Sequence, residues 1–320
     1  MQTHSGKNRV LILGEQFMNL TRYQFELLSY VELCGRTNYS QREVADKLCI
    51  SGNQIKESFE YLHDNGLIAA SDDVVSITDA GLEALEPYRV KRVVILAAGF
   101  GSRMMPATAD RPKPMVTVNG KYIIETLLDS LTAVGITDIT LVRGYKKERF
   151  DDLKEKYPFI KLIDNDDYDK TNNISSAILA LDSFKDGCYL CEADLYITNP
   201  AVITKYQYCS NILGSYSLET DDWSFRLKDG FITDYQKGNT YCYNYYGISY
   251  WTPEDCEKLA KDWTEIFETE EGKDVFWEIV PLQIRKENYN VEIRQCNKQD
   301  IMEIDNYYEL ALVDESYRNE

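Results

Sequence analysis

Gly99-Phe100-Gly101-Ser102-Arg103, followed by Arg111-Pro112-Lys113-Pro114, is the stretch of this chain best equipped for chemistry. Glycines carry no Cβ, so the backbone N–H groups of the loop can turn toward a bound anion, and two arginines and a lysine surround it with cations. A nucleoside triphosphate is the natural occupant. The prolines flanking Lys113 stiffen the segment, so the ammonium loses little further freedom on meeting a phosphate. Spacing excludes two familiar phosphate loops. A P-loop closes with Gly-Lys-Ser/Thr, which neither Ser102-Arg103 nor Asn119-Gly120-Lys121-Tyr122 supplies, and the dinucleotide fingerprint needs a third glycine where Met104 stands.

The elements that must hold this loop can be read around it. Val93-Val94-Ile95-Leu96-Ala97-Ala98 is the continuous apolar run of a strand buried on both faces, which delivers the backbone straight into the loop. Met115 to Val118 then reads as a strand, Asn119-Gly120 as a turn, and Ile123, Ile124, Leu127, Leu128, Leu131 and Val134 as the buried side of a helix closed at Gly135. Ile139–Val142, Leu162–Asn165 and Cys188–Cys191 follow as strands. Such alternation predicts a largely parallel sheet with helices on both faces and a ligand at the carboxyl ends of the strands. Arg143-Gly144-Tyr145 falls at one such end, where Tyr145 reads equally as a ligand contact or a core ring. Asn172, Asn173, Ser175 and Ser176 open a helix; capping explains some of them, and the remaining amide groups, which both donate and accept, suit a pyrimidine edge.

Composition narrows the partners. The 320 residues, 44% hydrophobic and 28% charged, suit an ordinary two-domain globular chain. A net charge of -18 argues against nucleic acid or an anionic membrane surface as the main partner. Eight cysteines form no disulfide scaffold, and Cys188-Tyr-Leu-Cys191 lies in an apolar run with no second pair, so a buried strand is favoured over a zinc or redox site. Reduced thiols, no membrane span and only a four-residue apolar run at Val10–Leu13, far too short for a signal peptide, together predict a cytoplasmic protein.

Taken together, Leu96-Ala97-Ala98-Gly99-x-Gly101-Ser102-Arg103 and Arg111-Pro-Lys113-Pro resemble the signature of the nucleotidyltransferases that make sugar nucleotides and CDP-alcohols, and within them the bacterial CTP:phosphocholine cytidylyltransferases. The resemblance runs from about Arg92 to near the C-terminus. It implies an α/β, Rossmann-like, mostly parallel mixed sheet flanked by helices, the nucleotidyltransferase fold, over residues 91–320. It implies a nucleotide held by residues 96–102, Gly144, Tyr145, Asn172 and Ser176. It also implies Mg²⁺ held by Asp194, at the end of the Cys188–Cys191 strand, and by Asp305. Lys113 and Arg103 would do the catalytic work, transferring CMP from CTP to phosphocholine with release of pyrophosphate. The acceptor would meet Trp223, Trp277, Glu278 and Glu303, because the aromatic segment from Trp223 to Trp277 offers ring faces and carboxylates for a quaternary ammonium. Three other readings stay open: the same chemistry on 2-aminoethylphosphonate or phosphoethanolamine, a sugar-phosphate nucleotidyltransferase, and a nucleotide-sensing regulator with an inactive transferase domain.

Residues 1–90 form a different pattern. Thr21, Ser40 and Ser51 can each cap a helix, and Gly66–Ala69 and Val74–Thr78 read as a hairpin joined around Ser71-Asp72-Asp73. Three helices and a hairpin make a small α+β unit that resembles the winged helix-turn-helix domains of bacterial regulators. Eight basic against thirteen acidic residues leave it at -5, a poor footprint for DNA, so dimerisation, giving a homodimer, or regulation is the preferred role. Both histidines, His4 and His63, fall here, which removes histidine acid–base chemistry from the catalytic segment.

Overall fold

The structure, a computed structural model, describes residues 19–35, 37–38, 40–71 and 74–319. His4, the apolar run at 10–13, and Asp72 and Asp73 lie outside them. The chain divides into two compact units, Met1–Arg89 and Val90–Glu320.

The first unit starts with α1 (Arg22–Cys34), β1 (Thr37–Asn38), α2 (Gln41–Leu48) and α3 (Gly52–Asp64). The expected caps are present: the Thr21, Ser40 and Ser51 side chains accept from backbone N–H groups of the first turns, and Gln24 and Gln54 reciprocate in capping boxes. β2 (Ile68–Ser71) and β3 (Val74–Ile77) pair antiparallel, and β1 pairs on the other edge of β3. α4 (Asp79–Leu85), capped by Thr78, completes the unit; β1 and α4 are additions to the expected pattern. Leu27, Leu28, Ile55, Leu62 and Leu85 are fully buried.

The second unit is built on seven strands in the order β11-β13-β12-β9-β4-β7-β8. Its parallel half comprises β4 (Arg92–Ala97), β7 (Asp138–Arg143), β8 (Lys161–Asp164) and β9 (Cys188–Glu192), with β4 between β7 and β9. Val93, Ile95 and Ala97 pack into one core and Val94 and Leu96 into the other, so successive residues of β4 bury opposite faces. α5 (Ile123–Ala133), entered through the short hairpin β5 (Thr117–Val118) and β6 (Lys121–Tyr122), covers the first face with Leu127, Leu128 and Leu131; α6 (Leu153–Lys156) adds Leu153. α7 (Ile174–Leu179) and α8 (Pro253–Phe267) cover the second with Ile174, Ala177, Leu259 and Trp263.

The antiparallel half is one long hairpin, β11 (Asn211–Lys228) and β12 (Phe231–Trp251), turned by Asp229-Gly230 with φ of 53° and 89°, the doubly positive geometry of a two-residue hairpin loop. β12 runs antiparallel to β9, and β13 (Glu292–Gln295) pairs parallel with β11. Away from this sheet, β10 (Leu195–Ile197) pairs antiparallel with β14 (Ile301–Glu303), and α9 (Tyr307–Val313) packs Leu310 with Met104, Val116 and Ile304. Cys188 and Cys191 are buried in β9 and free, and burial pushes the Cys191 thiol up to about 12, the environment of a packed strand. No helix among the described residues is long and apolar enough to cross a membrane.

Candidate active site

At the carboxyl ends of β4 and β9 a cleft of about 620 Å³ opens, with residues 96–103 and Lys113 along one wall. Gly101 has φ of +61°, and a Cβ there would stand 2.6 Å from the Lys113 Cβ, so this glycine is what lets the lysine segment close on the loop. A Cβ on Gly99 would meet nothing within 4 Å, which leaves that backbone open to a ligand. Gly144 and Tyr145 do not line the cleft. They brace the loop from behind: the Tyr145 N–H donates to Ala98 O at 3.1 Å, the Tyr145 ring packs 5.3 Å from Phe100, and a Cβ on Gly144 would press on Tyr168.

Lys113 is nearly buried, and its Nζ donates to Asp194 Oδ2 at 2.9 Å and Asp305 Oδ1 at 3.0 Å. Burial alone would lower the ammonium's pKa; the two aspartates more than reverse this and hold it well above the usual lysine range. Arg103, largely exposed, reaches Asp305 Oδ2 with Nη1 at 3.0 Å. The register of β10 on β14, Leu195 opposite Glu303, is what brings the two acidic segments together. Asp194, Glu303 and Asp305 offer carboxylate oxygens within 4.8 Å of one another. Hard oxygen donors at this spacing fit Mg²⁺. Glu303 faces this cluster more than the aromatic end expected of it: its carboxyl is pushed up to about 8 by its depth in the cleft and by the neighbouring Asp194 and Asp305.

Further along, β8 and α7 meet at a polar corner. Asn165, buried just after β8, donates from Nδ2 to Ser175 Oγ and Ser176 Oγ, both at 2.9 Å. Ser176 lines the cleft as expected; Asn165 and Tyr168 join it, and only the strand-end position of Asn165 hinted at this. Asn172 also lines the cleft, but its side chain is engaged elsewhere. Its Nδ2 donates to Asp274 O at 3.0 Å and its Oδ1 accepts the Asn173 N–H at 2.8 Å, so this side chain also holds the neighbouring loop.

The opposite end holds the aromatic residues. Trp223, stacked 5.0 Å from Tyr235 at 12°, and Phe276 line the cleft with Tyr245, Glu192 and Glu278. Trp277 does not. It is fully buried, edge-on to both Trp251 and Trp263, because its neighbour Phe276 takes the outward position. Glu278 is 3% exposed; Tyr235 donates to its Oε1 at 3.3 Å, while Oε2 and the Tyr245 hydroxyl are buried with no hydrogen-bond partner among the described residues. Burial pushes the Glu278 carboxyl up to about 7. Burial, then Glu278 and Asp194, push Glu192 up as well. Glu192 was not singled out from the sequence, although it stands two residues before Asp194 at a strand end.

Comparison with known proteins accounts for this geometry. The profile of the MobA-like NTP transferase domain matches residues 93–208. The 2-aminoethylphosphonate cytidylyltransferase of Lancefieldella rimae is 36% identical over 227 residues, 70% of this chain and 92% of that protein. The choline-phosphate cytidylyltransferase of Haemophilus influenzae is 32% identical over 67% of this chain and 91% of its own. Among solved structures, the CTP:phosphocholine cytidylyltransferase from Streptococcus pneumoniae superposes with a TM-score of 0.66 at 30% identity, covering 71% of this chain and 99% of that one. At 36% identity over 92% of one such enzyme, the chain belongs to the cytidylyltransferases, enzymes of the nucleotidyltransferase class built on a MobA-like NTP transferase domain.

Proposed function

We propose that the enzyme transfers CMP from CTP to a phosphonate or phosphate ester that ends in a primary ammonium, with 2-aminoethylphosphonate as the reference acceptor. One observation carries this reading: Glu278 Oε2 and Tyr245 Oη are buried without hydrogen-bond partners among the described residues, beside Glu192. A primary ammonium brings three N–H donors to such acceptors, whereas a trimethylammonium brings none and leaves them unsatisfied. The name of the 36% identical relative agrees with it. Phosphocholine is the second reading, favoured by the Trp223 and Phe276 rings, whose faces suit a quaternary ammonium.

In the reaction an acceptor oxygen attacks the α-phosphorus of CTP in line. The new P–O bond forms as the α–β bridging bond breaks, and pyrophosphate leaves with the electron pair. A phosphonate or phosphate dianion is already nucleophilic near neutral pH, so no general base is needed, and positioning with charge neutralisation does the work. Lys113 stands between the attacking oxygen and the α-phosphate. Arg103 and the amides of residues 99–102 hold the departing phosphates. Asp194 and Asp305, with Glu303 beside them, would hold Mg²⁺, which when bound neutralises charge on the phosphate oxygens. Pyrophosphate release with CTP, UTP, ATP or GTP against 2-aminoethylphosphonate, phosphoethanolamine, phosphocholine and glucose 1-phosphate tests the reading. Selective turnover of CTP with 2-aminoethylphosphonate is expected; preference for phosphocholine would transfer the site to the second reading.

The first unit we read as a winged-helix module for dimerisation or regulation. Its order of three helices and a hairpin supports the first term, and its net -5 argues against DNA as the partner. A DNA-binding titration across salt concentration checks this, with only weak, sequence-independent binding expected.

A further inference from the structure

The acceptor strip 275–279 has no strand partner, lying between a 3₁₀ turn at Gly272–Asp274 and a π turn at Val280–Ile284. Three hydrogen bonds from two consecutive asparagines hold it and the turn before it. The Asn172 N–H donates to Lys273 O at 2.7 Å, Asn172 Nδ2 donates to Asp274 O at 3.0 Å, and Asn173 Oδ1 accepts the Trp277 N–H at 2.8 Å. Asn173 lines the cleft beside Glu278. Its acceptor oxygen is engaged by the N–H of Trp277, the residue before Glu278, which leaves the donor half of the amide for the cleft.

We infer that Asn173 is a positioning residue for the acceptor: it anchors the strip through Trp277 and orients the Glu278 carboxylate toward the ammonium. This inference rests on the reading of Glu278 as the ammonium's carboxylate. A hydrogen bond to the strip backbone alone could come from any side-chain oxygen. Holding the strip and orienting a carboxylate at once needs an acceptor and a donor on one planar group, which is what an amide supplies. The same short segment leads into Ser176, held by Asn165 at the other end of the cleft, so the two substrates are aligned from one support. Misplacement of about 1 Å here costs on the order of 10²-fold in rate.

Steady-state kinetics of full-length Asn173→Asp, Asn173→Ala and Glu278→Gln, with KM measured separately for CTP and 2-aminoethylphosphonate, tests the assignment. Asn173→Asp keeps an oxygen for the Trp277 N–H but sets a second carboxylate against Glu278. The expected result is an unchanged CTP KM, with acceptor KM raised about tenfold or more, one hydrogen bond to a charged group. Asn173→Ala should raise acceptor KM and also lower kcat. Wild-type acceptor KM in Asn173→Asp, with Glu278→Gln impaired, would overturn the positioning role while leaving Glu278 in place. Wild-type acceptor KM in Glu278→Gln would overturn the underlying reading and this inference with it. Should Asn173→Ala fail to fold, the Asn173→Asp comparison alone decides.

Discussion

The ammonium of Lys113 lies 2.9 Å from the Asp194 carboxylate, across 81 residues of sequence. A lysine stiffened by two prolines thus meets a carboxylate carried just beyond the end of β9, in the cleft where triphosphate and acceptor must converge. Asp305 completes the arrangement from a third segment, accepting from the same ammonium at 3.0 Å.

Lys113→Ala should lower kcat by at least ~10²-fold, the scale of losing one preorganised electrostatic stabiliser. Lys113→Arg should not restore it, because a planar fork does not reproduce a compact ammonium that donates to Asp194 and Asp305 at once. Steady-state pyrophosphate release measures both, and near wild-type turnover of either variant would remove the lysine from the mechanism.

Removing divalent cations with a chelator should abolish turnover, and adding Mg²⁺ should restore it. Asp194→Asn and Asp305→Asn should each cost at least ~10²-fold, since each removes a charged oxygen from the three-carboxylate cluster. Full activity in excess chelator would contradict the assignment of this cluster.

Burial raises the Glu278 carboxyl to about 7, and it is faced by Tyr235, Tyr245, Glu192 and Asn173. An ammonium binds the ionised form, so acceptor kcat/KM should rise with pH up to about 7 and then level off, beyond any break that Glu278→Gln also shows. The stability effect has the opposite sense in the substrate-free enzyme. A carboxyl whose folded pKa is raised contributes fully below its ordinary value of 4.5 and loses that contribution as pH rises through about 7. Glu278→Gln should therefore gain thermal stability relative to wild type across that window. A stability difference flat from pH 4 to 8 would refute this.

Gly101→Ala should destabilise the fold by about 1–3 kcal/mol, because φ of +61° and a contact of 2.6 Å with Lys113 both oppose a Cβ. Gly99→Ala meets no protein atom within 4 Å, so it should leave stability unchanged and raise the KM for CTP instead. Urea denaturation beside CTP kinetics separates the two, and equal behaviour of the variants would argue against the loop's division of labour.

Much of this was legible in the chain itself, wherever the physical requirement is local. Helix caps at Thr21, Ser40 and Ser51, the two-sided burial of β4, the open backbone at Gly99, and the stiffened Lys113 all depend on residues within a turn or two of each other. The pairing of Asp194 with Asp305 was reached only through likeness to a family.

What the tertiary structure alone decided is which of several equivalent residues faces the cleft. Phe276 and Trp277 are both large rings in a strip without periodic structure, and the packing of Trp251 and Trp263 draws the second inward and leaves the first outside. Asn172 and Asn173 look alike in sequence, yet the course of the 273–278 strip has one donate to Asp274 O and the other accept from the Trp277 N–H. Glu303 joins the aspartates because β14 pairs with β10 at Leu195. Composition and spacing determine which groups are available and how each local backbone turns; only long-range packing, which couples residues far apart in the chain, determines the direction in which each group points.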